Sequence, residues 1–210
     1  MERELILTPE ELYYLGRILQ AKYIDYAYVA AMNDIKQNFT LFEQEAKATL
    51  VSAGVLAEDF SGNVTIDQNA LKILRPIFFG EVESSVDICC LGESNSVGVN
   101  KFHFYDGVAT KVTGENGKLI LATIDQVGIK EFVTKLLAES YDSVRTVVED
   151  IDQTRITRFM AVKNILVGKT AIVKIYIESD GVIYEETESR IESVTKNDFI
   201  TDVYHIVKGV

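Results

Sequence analysis

Two histidines are the first candidates for chemistry, because histidine is the usual proton shuttle near neutral pH. His103 falls in a segment of alternating apolar and polar residues, and His205 falls in a helix-like segment near the end of the chain. Neither has a nearby serine, cysteine or aspartate in a nucleophile motif. We therefore predict that both are ordinary surface or partly buried side chains, and that the protein is not an enzyme.

The two cysteines are the next candidates, and they are adjacent, Cys89 and Cys90. On a strand they would point to opposite faces, and a disulfide between neighbours would be strained. A metal site would need further ligands at suitable spacing. The pattern predicts reduced, buried thiols, which is typical of a cytosolic protein.

Acidic residues cluster twice, first at Glu149, Asp150 and Asp152, and again at Glu185, Glu186 and Glu188. A metal would need several oxygens converging at a fixed geometry. The first cluster lies in a predicted loop and the second near a predicted strand end, so we interpret both as solvated charge. The glycines at 114 and 117 lack phosphate-loop spacing. The sequence predicts no metal, no cofactor and no catalytic residue.

Bulk composition limits the partners. The chain has 210 residues, 47% hydrophobic and 25% charged, as in an ordinary globular protein. Its net charge of −11 opposes binding to a phosphate backbone, so we predict no nucleic-acid partner. The apolar runs are shorter than the ~20 residues that span a bilayer, and the N-terminus lacks a leader pattern. These features predict a cytoplasmic protein with no membrane insertion.

The N-terminal third, residues 1–80, is predicted to be mainly helical. Residues 4–7 are a short strand, and Thr8, Pro9 and Glu11 form a capping box for a helix that ends near Leu19. Residues 22–33 remain open, since their tyrosines favour a strand and their alanines allow a helix.

A winged-helix pattern follows. A helix over 40–53 ends at Gly54, a turn spans 59–63, and a second helix spans 67–78, with Pro76 expected to end or kink it near Arg75. A DNA reader carries basic or amide side chains here. The first helix carries Glu43, Gln44, Glu45 and Lys47, so its exposed face is acidic to neutral, and the wing over 57–63 has two carboxylates and no basic residue.

After Gly80 the period changes to that of strands. The predicted strands are 85–90, 101–105, 108–113, 119–124, 156–162, 171–178 and 182–187, with hairpin turns at Asp106-Gly107, Asn116-Gly117 and Asp180-Gly181. Helices are predicted over 125–139, with a pattern that extends through Val148, and over 197–208. The whole is a single α+β domain (1–210) with a central antiparallel sheet, in which 81–150 and 151–210 each run from strands to a helix.

Two stretches echo each other. "NGKLILATIDQVGIKEFVTKLL" and "DGVIYEETESRIESVTKNDFITDVYHIV" each pass from a hairpin turn through a strand to a helix that contains Phe-Val-Thr or Phe-Ile-Thr. An internal duplication would produce this echo, and so would a chance likeness between two β-β-α units; both interpretations stay open.

Tyrosines crowd the region between residues 13 and 28, at Tyr13, Tyr14, Tyr23, Tyr26 and Tyr28. They either form a partner surface, for which tyrosine is well suited, or pack the base of the sheet. Phe78 and Phe79 are predicted to be core. The sequence assigns no partner-binding residue and no oligomeric state.

Three motifs, in order, carry a family resemblance: "LTPEEL", then "LVSAGVLAED", then "LKILRP" just before a strand. Together they resemble the EspG family, the cytosolic chaperones of ESX, or type VII, secretion. The resemblance implies a central antiparallel sheet with helical clusters around it and pseudo-twofold symmetry. It also implies a non-catalytic role: the chaperone covers the exposed apolar tip of a secreted helical protein and delivers it.

The chain departs from that family in being shorter than its typical actinobacterial members. Its Lys- and Ile-rich, Trp-free composition suggests a low-GC Gram-positive origin, where the substrate would differ. Two other functions stay open. One is an immunity protein whose acidic surface neutralises a basic secreted toxin, and the other is a winged-helix regulator.

Overall fold

A computed structural model describes residues 4–30, 32, 39–91, 96–138, 141–166, 172–187 and 190–209. The helices are α1 (Pro9–Ile18), α2 (Tyr26–Val29), α3 (Phe39–Ser52), α4 (Gln68–Phe79), α5 (Gln126–Lys135) and α6 (Lys196–Lys208). The strands are β1 (Leu5–Leu7), β2 (Leu56–Glu58), β3 (Val64–Ile66), β4 (Val82–Cys90), β5 (Ser96–Tyr105), β6 (Val108–Glu115), β7 (Lys118–Ile124), β8 (Val147–Val148), β9 (Ile156–Leu166), β10 (Ile172–Ser179), β11 (Val182–Glu186) and β12 (Ile191–Ser193).

Ten of these strands form one antiparallel sheet in the order β1-β7-β6-β5-β4-β9-β10-β11-β12-β8, and β2 and β3 form a separate hairpin. The predicted α+β class with a central antiparallel sheet is confirmed. The strand order contains the same topology twice. Strands β4 to β7 and strands β9 to β12 are consecutive meanders, each followed by a helix, and a short strand is added beside β7 and beside β12. This repetition agrees with the echo in the sequence.

The hairpin turns have a local cause. Both residues of each Asx-Gly pair have positive φ, between 48° and 75°, in Asp106-Gly107, Asn116-Gly117 and Asp180-Gly181. Type I′ turns require this conformation, and their twist matches that of the flanking strands. All three predicted hairpins are confirmed.

The chain divides into two compact units. The first comprises residues 1–81 and 103–123, and its core is built from leucines and a phenylalanine that are each at most 1% exposed: Leu12, Leu15, Leu50, Leu74 and Phe78. Helix α1 begins with the predicted capping box. The Glu11 amide donates to the Thr8 hydroxyl at 3.2 Å, and the Thr8 amide donates to the Glu11 carboxylate at 2.8 Å.

Helix α4 corrects the expectation for Pro76. Asp67 caps the helix, and the helix continues past Pro76 to Phe79 instead of ending near Arg75. Proline removes one amide donor, but its fixed φ suits a helix. Pro76, Ile77 and Phe78 are all buried, and their burial holds the last turn in place.

The described residues of the stretch 22–33, namely 22–30 and 32, form neither a strand nor a long helix. Asp25 caps one helical turn, α2, by accepting from the Ala27 amide at 2.9 Å. Residues 31 and 33 lie outside the described residues.

The second unit comprises residues 82–102 and 124–210. Helix α6 packs on one face of its sheet, where the rings of Tyr176 and Phe199 meet edge to face at 4.9 Å. Two polar side chains on the same face tie the sheet to the end of α6. Ser84 donates to the carbonyl of Val207 at 2.6 Å, and Asn164 donates to the carbonyl of Ile206 at 2.9 Å.

The helix predicted over 125–139, and its extension through Val148, are wrong at the C-terminal end. Helix α5 ends at Lys135, and Val147–Val148 pair with β12 as strand β8. Side-chain bonds to distant backbone hold the following segment extended. Tyr141 is buried and donates to the carbonyl of Val194, and the Thr146 amide donates to the Ser193 hydroxyl at 2.9 Å. Residues 139–140 are outside the described residues.

None of the helices that the structure describes is both long and apolar enough to cross a bilayer.

Gly80 lies too close to neighbouring backbone to accept a side chain. Its φ of −62° is ordinary, yet a Cβ there would lie 2.3 Å from the Pro76 carbonyl oxygen and 2.8 Å from the Phe104 carbonyl oxygen. We expect Gly80→Ala to lower the free energy of unfolding by about 1–3 kcal/mol, because backbone must move. Urea denaturation measures this. Gly114→Ala is the control, since a Cβ at that position meets nothing within 4 Å. Equal urea midpoints for the two variants would contradict the prediction.

Candidate interaction surface

The structure places the two histidines in different units. His103 belongs to the first unit, is 1% exposed, and its Nε2 lies 2.6 Å from the hydroxyl oxygen of Tyr28. His205 belongs to the second unit, is exposed on α6, and its ring lies 5.9 Å from that of Tyr204. Neither of these contacts pairs a base with a nucleophile.

The cysteines are free thiols on β4, and both are half-buried instead of fully buried as predicted. Their register partners on β9 differ, Phe159 for Cys89 and Arg158 for Cys90, as expected of side chains that point to opposite faces.

Side chains in both acidic clusters form hydrogen bonds or ion pairs within the chain. Asp152 accepts from the amide and hydroxyl of Thr154, at 3.0 and 2.6 Å, and these bonds lower the pKa of Asp152. Glu185 pairs with Lys174 at 2.9 Å. Glu188 is outside the described residues. Across the described part of the chain, no three histidine, cysteine, aspartate or glutamate side chains are placed to hold a metal.

Most of the crowded tyrosines pack within the first unit. Tyr14 and Tyr28 are buried, Tyr23 donates to the carbonyl of Gly80, and the ring of Tyr13 lies 6.1 Å from that of Phe42. Tyr26, in contrast, is 78% exposed. This placement favours the packing alternative over a shared partner surface. Of the two phenylalanines predicted to be core, Phe78 is fully buried and Phe79 is half-buried.

The second unit has an open apolar surface that does not coincide with any of these candidates. Strands β9 and β10 pair so that Val173 lies opposite Lys163 and Ile175 lies opposite Ala161. Because side chains alternate along a strand, these residues share the face opposite to that of Tyr176. Val173 is 52% exposed, Ile175 is 44% exposed and Ile165, on the same face of β9, is 45% exposed. We name Ala161, Ile165, Val173 and Ile175 the apolar sheet face.

A concavity of about 480 Å³ adjoins this face. Phe159 and Ile177, the next residues along β9 and β10 on the same side, help to line it. Its remaining apolar lining comes from the strand ends and the segment before β9, namely Leu91, Ile151, Ile156 and Ile191; Asp150, Gln153 and Glu186 complete it. The concavity extends the apolar sheet face into a pocket of small-ligand or side-chain size.

Charged pairs lie within and beside the apolar sheet face. Lys163, between Ala161 and Ile165 on the same face of β9, pairs with Asp87, the register partner of Ala161. Lys101 pairs with Glu83, the register partner of Ile165, at 2.7 Å. An apolar centre with polar neighbours is the usual composition of a protein-binding surface. Contiguous exposed apolar side chains of this kind mark interaction sites in soluble proteins.

On the opposite face of the sheet, side chains in the middle of β9 and β10 are fully buried. Met160, Val162 and Tyr176, the intervening residues of the same two strands, are all 0% exposed. Burial raises the pKa of the Tyr176 hydroxyl far above its ordinary value. In the middle of β10, therefore, Tyr176 is covered on one face while Ile175 is open on the other; toward the start of the strand Ile172, on the covered face, is also 53% exposed.

Sequence reasoning missed this surface although it found the strands. Strand Ile172–Ser179 has apolar residues at 172–173 and 175–177, on both of its faces, a pattern that favours a strand buried on both faces. What identifies the binding surface is that one face of these strands stays exposed. Tertiary packing decides that exposure, and the sequence pattern does not show it.

Comparisons with known proteins give a match in structure but none in sequence. No family model and no curated protein sequence matches the chain. A solved structure does match: that of the Mycobacterium tuberculosis type VII secretion system chaperone EspG5 in complex with the PE25-PPE41 dimer. The match has a TM-score of 0.65 and covers 98% of this chain and 96% of that chain, at 7% sequence identity. The chain therefore has an EspG-like fold along nearly its whole length.

The buried pair in the first unit generates the next prediction. Tyr28→Phe removes the hydroxyl that lies 2.6 Å from His103 in a buried environment. We expect a loss of about 1–3 kcal/mol in the free energy of unfolding, because a buried polar contact is broken. Tyr26→Phe removes a hydroxyl from a side chain that is 78% exposed, and should change stability by less than about 0.5 kcal/mol. Thermal or urea unfolding that ranks the two variants equally would refute the role of this pair.

Proposed function

We propose that the protein is a cytosolic chaperone or adaptor that binds a secreted helical protein of a type VII, ESX-like, secretion system. The observation that carries the proposal is the apolar sheet face with its adjoining concavity, on a fold shared over nearly the whole chain with a type VII secretion chaperone. The binding role is carried over from that protein as a proposal, since the likeness in fold concerns architecture.

The geometry of the face suits a helix. Neighbouring strands lie about 4.8 Å apart, so the two strands that carry the face offer a width close to the ~10 Å diameter of a helix. Side chains at i and i+2 of a strand are about 6.6–6.8 Å apart, close to the ~6 Å between i and i+4 on a helix. Two apolar side chains of a helix can therefore contact Val173 and Ile175 while a third enters the concavity.

The energetics suit a chaperone. A helical protein with an exposed apolar tip aggregates, and burial of apolar area contributes about 25 cal/mol for each Å² removed from water. The net charge of −11 keeps the chaperone, and a complex with it, in solution through mutual repulsion.

The test begins with the tagged protein purified from its native host, followed by identification of what co-elutes. A small helical secreted protein in fixed ratio supports the proposal. A basic toxin domain whose binding is lost with salt would replace it with the immunity function, and bound nucleic acid would replace it with a regulator.

The surface itself is tested with a matched pair of variants on one strand. Ile175→Lys places a charge in the apolar sheet face, and we expect it to weaken binding of the co-eluting protein at least about tenfold. Ile172→Lys is the control, because Ile172 is 53% exposed and its side chain lies on the opposite face. Titration calorimetry measures both. Equal affinities with folded variants would rule out the apolar sheet face as the binding surface.

A further inference from the structure

The first unit carries a second open surface, along α3. Leu41, Gln44, Ala48 and Val51 recur at helical spacing and are all exposed, Leu41 at 47% and Val51 at 37%. A surface helix normally turns charged residues to water, so a neutral and apolar exposed stripe is unusual.

The hairpin of β2 and β3 makes this stripe one wall of a groove. Lys47 on α3 pairs with Glu58 on β2 at 2.5 Å, which joins the two walls. The groove has a volume of about 460 Å³ and is lined by Gln44, Lys47, Ala48, Val51, Ser52 and Glu58.

Phe60 stands at the tip of the hairpin and is fully exposed. Its position is fixed by Asp59, which accepts from the Ser61 amide at 2.8 Å and from the Asn63 amide at 2.9 Å. The side-chain bond from Asn63, followed by the backbone bonds, lowers the pKa of Asp59, so the turn is fully held at neutral pH. A preordered turn loses little conformational entropy when its phenyl ring is buried by a partner.

Charge decides the kind of partner. Glu45, Glu58 and Asp59 bring carboxylates to this surface, and Lys47, the cation in the lining, is paired with Glu58. Nucleic acid and anionic membrane would be repelled. A protein segment with an apolar stripe and basic flanks would be attracted.

We propose that the groove between α3 and the β2–β3 hairpin is a second docking site that binds a basic amphipathic helix. Phe60, at the tip of the hairpin, belongs to this site. A helix-turn-hairpin arrangement that reads DNA in other proteins here has the chemistry to bind protein. The site lies in the first unit and shares no residue with the apolar sheet face of the second unit.

Two synthetic helical peptides test the proposal. Both carry one leucine and alanine stripe; one has lysines at the flanking positions and the other has glutamates. Fluorescence anisotropy should show the lysine peptide binding the full chain at least about tenfold more tightly than the glutamate peptide. Equal binding of the two peptides, or no binding of the lysine peptide, would overturn the proposal.

Variants locate the contact. Phe60→Ser removes an exposed ring without touching the core and should weaken the lysine peptide about tenfold. Ile175→Lys, in the other unit, should leave this affinity within about twofold, which separates failure of this site from failure of the proposed chaperone function. Loss with Ile175→Lys but not with Phe60→Ser would overturn the assignment. So would binding of phosphatidylglycerol vesicles in place of the peptide.

Discussion

The pairing of β4 with β9 is the interaction on which the second unit depends. Nine consecutive residues, Val82–Cys90, pair with residues 158–166, which are distant in the chain. Closing so long a loop costs conformational entropy that many local contacts must offset. The register then decides the face of every side chain, since a slip of one residue would exchange the two faces. The apolar sheet face and the helix-covered face are both consequences of this register.

The two faces of that sheet differ: one is covered by a helix and the other is exposed. On one face, α6 covers fully buried side chains, and Ser84 and Asn164 donate to the Val207 and Ile206 carbonyls in its last turn. On the other face, Val173 and Ile175 stay exposed to water, so folding does not gain the free energy of burying them fully. A bound helix would gain it, which is why the open face is the basis of the proposed chaperone function.

The first unit uses a familiar local arrangement for different chemistry. Helix α3, its following hairpin and α4 have the order of a winged helix, but carboxylates and apolar side chains occupy the positions that would face phosphates. This local order of elements would by itself suggest nucleic acid, and the side chains argue for protein. Function here depends on which residues the fold exposes.

The sequence by itself determined the features with local causes. Thr8 and Glu11 cap α1, and the Asx-Gly pairs at positive φ make the hairpins, because each needs neighbours only a few residues away. Tertiary structure decided the rest. Burial of Pro76 to Phe78 carried α4 past a proline, and Tyr141 and Ser193 drew the segment after α5 into extended backbone, against its helical period. The exposure of Ile175 was also decided there, because a strand's period shows that faces alternate, whereas only long-range pairing and the placement of helices select the face left open.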